Sequence, residues 1–251
     1  MYEAATAHPA GESTVSRLAA TASRLGYAGL VVRNSRDSVV PGTFDSLKRY
    51  ADAVESEFGV DVVRSVELED DRGQLRTTVR DLRDSYTIVA VSGGSPERNR
   101  LALETPEVDV LTEPMTGQGD VNHILARAAA ENGVRFEFDF GPALRKTGGE
   151  RVQALRGLRK LREMVEYYDA PFVCSVRAES HLELRAPRDV AALGAEIGFD
   201  AEQVKEGFAE WGGLVERNRE LMDEAFVAPG VRRGKPEGAF RDDPEEGGCE
   251  E

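Results

Sequence analysis

Histidine, lysine and cysteine are scarce in this chain of 251 residues, with three, five and two copies. The three histidines, His8, His123 and His181, form no H-x-H or H-x-x-x-H pair, which speaks against a histidine-built metal centre. Cys174 lies in an apolar run and Cys249 in the C-terminal stretch, contexts too different to suggest a structural disulfide. No apolar stretch approaches the roughly 20 residues of a membrane span. The N-terminal MYEAATAHPAGEST has neither the basic nor the apolar part of a signal peptide, so a cytoplasmic location is expected. Nucleophile and phosphate-loop signatures are missing too. Ser92-Gly93-Gly94 has neither the spacing of a nucleophile elbow nor that of a Walker loop.

Acidic side chains are plentiful. Asp and Glu number 46 against 32 basic residues, and 27 of those 32 are arginine. A net charge of -14 with so little lysine reads as a surface adapted to high salt, where dense carboxylates keep a protein hydrated. Nucleic-acid binders are ordinarily basic. In concentrated salt that rule weakens, because phosphate contacts lose counterion-release free energy and charges are screened within about 3 Å at 1 M.

The chain is organised around Val108–Phe140. There an apolar run ends in Thr112-Glu113-Pro114, a glycine-containing loop leads through Asn122 and His123 into a helical pattern, Asn132-Gly133 stops it, and an alternating run follows. That is the form of a βαβ unit. The same rhythm recurs, with strands expected at Tyr2–Ala7, Ala28–Arg33, Asp61–Leu68, Tyr86–Val91 and Phe172–Val176. Helices are expected from a Ser13 cap to Arg24, from Thr43 to Phe58 before Gly59, from Gln74 to Arg83, and after Pro96. A long helix is expected over Gly149–Tyr168, another after Pro187, one from an Asp200 cap to Trp211, and a separate one over Gly213–Phe226. The fold class is α/β, a TIM-like (β/α) barrel with about seven clear βα units over residues 1–226, an open doubly wound sheet being the alternative. Residues 227–251, rich in Pro, Gly and acids, are expected to form a disordered tail.

In a barrel, chemistry gathers at the C-terminal strand ends, which places His8, Arg33, Glu67, Ser92, Glu113, Asp139 and Arg177 on one rim. His8, Glu67, Glu113 and Asp139 supply the donor types of a divalent-metal phosphoesterase, the enzymatic alternative. Basic clusters point elsewhere. Arg145, Lys146, Arg151, Arg156, Arg159, Lys160 and Arg162 crowd one stretch of an otherwise acidic chain, where Glu150, Glu163 and Glu166 offer helix-surface partners. Arg177, His181, Arg185 and Arg188 follow the seventh strand. Together with Arg33, Asn99, Arg100, Asn122 and His123 they offer a polar surface to an RNA backbone or a protein partner, since guanidinium suits bidentate phosphate contact.

The succession YEAATAHPAGEST, YAGLVVRN, VELE, TIVAVSGG, VDVLTEPM, GDVNHILA, ALRGLRKLRE and SHLELRAPR resembles the archaeal ribonuclease P protein component 3 family, in particular its haloarchaeal forms, over residues 2–225. The resemblance implies a TIM-like barrel related to the polymerase-and-histidinol-phosphatase superfamily. It also implies a non-catalytic role beside a catalytic RNA that removes the 5′ leader of precursor tRNA. The implied partners are ribonuclease P RNA, a Pop5-like ribonuclease P protein component 2 and, in the particle, precursor tRNA. No cofactor is expected on this chain itself, Mg2+ entering through the RNA. The superfamily's metal positions fall on His8, Glu67, Ser92 and Glu113, with Thr6 where a first histidine is expected. Serine and glutamate in place of histidines imply a vestigial site with no catalytic residue and no bound metal.

Overall fold

The computed structural model describes residues 1–35, 43–69, 74–223, 226–228 and 231–232. Seven strands form one sheet in sequential order: β1 (Tyr2–Ala5), β2 (Gly29–Ser35), β3 (Asp61–Leu68), β4 (Ile88–Ser92), β5 (Val110–Thr112), β6 (Arg135–Asp139) and β7 (Phe172–Ser175). Every neighbouring pair is parallel, from Tyr2 opposite Gly29 to Asp139 opposite Ser175. Sequential parallel strands require a helix or long loop to return each time, and the curled sheet is the predicted barrel.

The crossovers are α1 (Val15–Leu25), α2 (Thr43–Phe58), α3 (Leu75–Arg83), α4 (Pro96–Leu103) and α5 (His123–Asn132), then α6 (Gly141–Arg145) with α7 (Gly148–Tyr168). After β7 come α8 (Pro187–Ile197) and α9 (Ala201–Met222). Local chemistry sets most ends. Asn122 accepts the N–H groups of Ile124 and Leu125, Ser95 accepts that of Arg98, and Asp200 with Gln203 forms a capping box. The α1 cap is Thr14, not Ser13. The Ser13 hydroxyl is instead taken by the backbone N–H and ring of His181, at 3.0 and 2.8 Å. The short α6 was absent from the sequence reading, being a single turn begun by Gly141-Pro142.

Helix α9 runs unbroken through Gly212-Gly213, where sequence favoured two helices. It lies across the N-terminal ends of the strands. Asn218 donates to Asp109 and to the Thr87 carbonyl, Arg219 pairs with Asp61, and Glu210 accepts from Arg135. Trp211, Leu214 and Val215 enter the barrel from that end and pack with Val31, Val63, Ile88, Val110 and Val173. The Trp211 ring N–H reaches the Cys174 carbonyl at 2.9 Å. Packing this close requires glycine on the inner face: a Cβ at Gly207 would stand 2.4 Å from Cys174 Sγ. Gly207 therefore serves the contact, and burial outweighs the modest helix penalty of glycine.

Among the described residues the barrel has seven strands, so β1 and β7 meet without an eighth. Among the described residues they do so through one parallel bridge, Ala5 with Ala178, and the Thr6 N–H to the Ala178 carbonyl. Glu3 reinforces the seam. Its Oε1 accepts the N–H groups of Ala4 and Val176, both at 3.0 Å, while Oε2 lies 3.2 Å from the Tyr27 hydroxyl. Beyond α9 a small antiparallel pair, β8 (Phe226–Ala228) and β9 (Val231–Arg232), begins where the tail was expected. The remainder of the predicted tail lies outside the described residues.

Candidate functional site

With α9 closing one end, the open mouth lies at the C-terminal strand ends. Its floor is a buried charge network. Arg33 on β2 forks onto both oxygens of Glu137 on β6 and donates through Nε to Glu67 on β3 at 3.3 Å. Thr112 on β5 donates to Glu67 Oε1 at 2.5 Å, and Ser175 on β7 donates to Glu137 Oε1 at 2.7 Å. Arg177 Nη1 lies 3.2 Å from Glu67 and 3.5 Å from Glu113, which also accepts from Ser92. Arg33, Glu67 and Glu137 are 2%, 4% and 1% exposed, so their charges have almost no water to screen them. Glu113 (φ 48) and Arg177 (φ 45) both adopt the left-handed backbone region, uncommon for non-glycine residues and found at functional rims.

The electrostatics follow from this packing. Burial pushes the Glu67 carboxyl up, but the Arg33 and Arg177 charges overcome it and hold Glu67 below the ordinary carboxylate value. Burial opposes the Arg33 cation likewise; Glu137 and Glu67 outweigh it and keep the guanidinium charged. Asp139 differs. Burial and then the neighbouring Glu137 charge raise it to about 7, and its one hydrogen bond among the described residues is from the Gly141 N–H at 2.8 Å.

These residues do not fit a divalent metal. Glu67 has both oxygens committed, His8 is exposed on the rim, and Ser92 donates its hydroxyl to Glu113. Among the described residues no three His, Cys, Asp or Glu side chains are grouped to hold a metal ion. Guanidinium groups stand between the carboxylates that a cation would bridge.

The proposed interface residues divide. Arg33 is buried in the network and Asn99 is fully buried, donating to the carbonyls of Pro114 and Asp120. Neither reaches an external phosphate, a correction to the expectation for both; sequence marks a strand-end arginine but not the carboxylates it will meet. Asn122 is a helix cap, and Arg100 pairs with Glu104. Arg145 donates to the carbonyls of Val176 and Arg177, Arg159 to that of Glu196, and Arg185 to those of Leu182 and Leu184. Arg162 pairs with Glu166, and His181 holds Ser13. His123, Arg151 and Arg188 are exposed at the starts of α5, α7 and α8, on the mouth side.

The sequence reading missed Glu137, Thr112 and Ser175 as site residues. Their signal was strand parity: Glu137 alternates with Phe136 and Phe138, so it faces the barrel interior. A cleft of about 590 Å³ opens beside the network, between the Glu113–Asp120 loop and α7, with Glu137 and Asp139 at its base.

Comparison with known proteins bears on this geometry. Residues 1–223 match the family described as RNase P subunit p30. A ribonuclease P protein component 3 from Halorubrum lacusprofundi is 52% identical, covering 94% of this chain and 99% of that protein. One from Natronomonas pharaonis is 52% identical over 96% and 99% of the two chains, and one from Methanococcoides burtonii 32% identical over 91% of each. Among solved structures, a chain in the cryo-EM structure of archaeal ribonuclease P with mature tRNA superposes with a TM-score of 0.81 at 24% identity, covering 95% of this chain and all of that one. That likeness confirms the barrel fold.

Proposed function

The chain belongs to the RNase P subunit p30 family and is a protein subunit of ribonuclease P, the tRNA-processing endoribonuclease, and from that premise we propose how it serves the particle. It acts as a brace for the catalytic RNA and supplies no reacting group of its own. The observation that carries this is the mouth network. Among the described residues, every mouth carboxylate that would recruit a hydrolytic metal is tied to Arg33 or Arg177, with Asp139 alone outside the network. Hydrolysis of the 5′ leader then falls to the RNA and its Mg2+.

The mouth face provides the docking chemistry. His123, Arg151, Arg156 and Arg188 are exposed there, and so are the apolar side chains Ile124, Val152 and Leu182 at 62%, 61% and 75%. Cations suited to phosphate beside large exposed apolar groups match a surface that meets RNA and protein together. The protein neighbour is the Pop5-like component 2. Relatives from haloarchaea at about half identity agree with the acidic composition: contacts are few and made by arginine, because screening discounts diffuse positive charge. Reconstituted cleavage of precursor tRNA at limiting Mg2+, with and without this chain, tests the reading. Unchanged cleavage on adding the chain refutes it.

A further inference from the structure

The lining of the cleft beside the charge network is chemically graded. Pro114, Met115, Pro142, Ala154, Leu158 and Leu161 give it apolar walls. Asp139 sits at the base with a carboxylate oxygen that has no hydrogen-bond partner among the described residues. Arg156 and Lys160 border it from α7. Arg156 is exposed and has no ion-pair partner among the described residues, while Lys160 reaches across the cleft to Asp120.

A basic side chain from a protein partner would suit an acidic base but not a cationic border. The other acids are already satisfied, Glu137 by Arg33, Glu113 by Arg177 and Ser92, and Asp120 by Lys160. The gradient from an acceptor at the bottom through apolar walls to cations at the lip is that of a nucleotide, base inward and phosphate outward. A carboxylate accepts best from two adjacent donors, and guanine alone presents them, N1–H and N2–H, on its Watson–Crick edge. We propose that this cleft binds one unstacked guanine nucleotide of an RNA, its base against Asp139 and its phosphate against Arg156. This rests on the reading of the chain as an RNA-assembled subunit and assigns that subunit a point of base recognition.

The test titrates the full-length chain in concentrated KCl with GMP, AMP, CMP and UMP, following the Met115 methyl resonance. GMP should bind roughly tenfold more tightly than the other three, the discrimination expected of one two-bond base contact. Asp139→Asn, which loses an acceptor and presents a donor to N2, should abolish the preference. Ala154→Trp, which fills the cleft from its α7 wall, should abolish binding, and Arg156→Ala should weaken GMP but not guanosine. Equal affinity for all four nucleotides, or GMP binding that survives both Asp139→Asn and Ala154→Trp, overturns the proposal. Precursor-tRNA cleavage with the wild-type chain is measured in parallel. Stimulated cleavage without guanine selectivity removes the cleft inference alone, whereas no stimulation removes the reading of the subunit as well.

Discussion

Replacing Glu3 by glutamine should stabilise the barrel in neutral and alkaline solution, because the seam is built for a protonated acid. Glu3 is fully buried, and burial raises its carboxyl from 4.5 to about 8 despite the bonds it accepts from Val176, Ala4 and Tyr27. Hydrogen-bond counting agrees. Oε1 already accepts two backbone N–H groups, and Tyr27 has one hydroxyl proton but two acceptors nearby, Glu3 Oε2 at 3.2 Å and the Arg185 carbonyl at 3.0 Å. A proton on Oε2 donated to the Tyr27 oxygen leaves the phenol proton for Arg185, and every group is satisfied. Glutamine reproduces that pattern, its NH2 donating where the acid proton did.

Above pH 4.5 the unfolded chain has released the Glu3 proton while the folded chain holds it up to about 8. Stability from this group is therefore complete below 4.5, falls as pH rises, and levels above about 8. The span from 4.5 to about 8 corresponds to roughly 5 kcal/mol, a large share of a typical domain's stability. Asp139, raised to about 7, adds a slope of the same sign, so wild type and Glu3→Gln must be compared at each pH. Urea unfolding in constant high KCl at pH 5, 7 and 9 provides the comparison. The stability difference should grow in favour of Glu3→Gln between the first and last of these. Parallel pH profiles for the two proteins would refute the seam argument.

Other perturbations follow from the same contacts. Arg33→Met should cost about 3–5 kcal/mol in urea unfolding, because it strands Glu67 and Glu137 in the mouth; the companion change Glu137→Gln should recover part of the loss. Trp211→Ala should cost about 3–5 kcal/mol by emptying the closed end of the barrel, while precursor-tRNA cleavage by whatever remains folded is unchanged per molecule. Arg151→Ala and Arg188→Ala should each lower the salt dependence of particle assembly by about one unit of slope. Arg185→Ala, whose guanidinium donates to its own loop carbonyls, should shift the thermal midpoint instead and leave the slope intact.

Much of the barrel was written in local chemistry. Gly26, Gly59 and Gly133 all adopt positive φ at the predicted helix ends, and Pro96 and Pro187 open helices as expected. Short apolar runs identify strands buried on both faces. What failed locally was decided by distant partners. Ser13 lost its capping role to His181, which is 168 residues away in sequence. The Gly212-Gly213 pair read as a break because nothing in sequence reveals that α9 must cross Tyr2 and the strand ends closely. The site split the same way. Rim membership follows from strand ends, so Glu67, Glu113 and Arg177 were legible, but the pairings that make Arg33 internal join residues 34 and 104 apart.

Those pairings bear on why the mouth stays charged when it holds no metal ligand set. Net stability is a poor explanation, since buried ion pairs are often matched by apolar replacements of similar volume. Geometry is a better one. Arg33 and its partners join β2, β3 and β6, while Thr112 and Ser175 attach β5 and β7 to the same carboxylates. A seven-stranded barrel lacks the eighth strand whose ladders would fix its circumference, and its seam among the described residues is one bridge and Glu3. Directional bonds across the mouth supply that constraint from inside, and a planar guanidinium, always charged and unable to be chelated away, supplies it without depending on a metal. Rigid strand ends then hold the Glu113–Asp120 loop in a constant position, the condition an RNA-bracing face needs if its few exposed arginines are to meet phosphates in register.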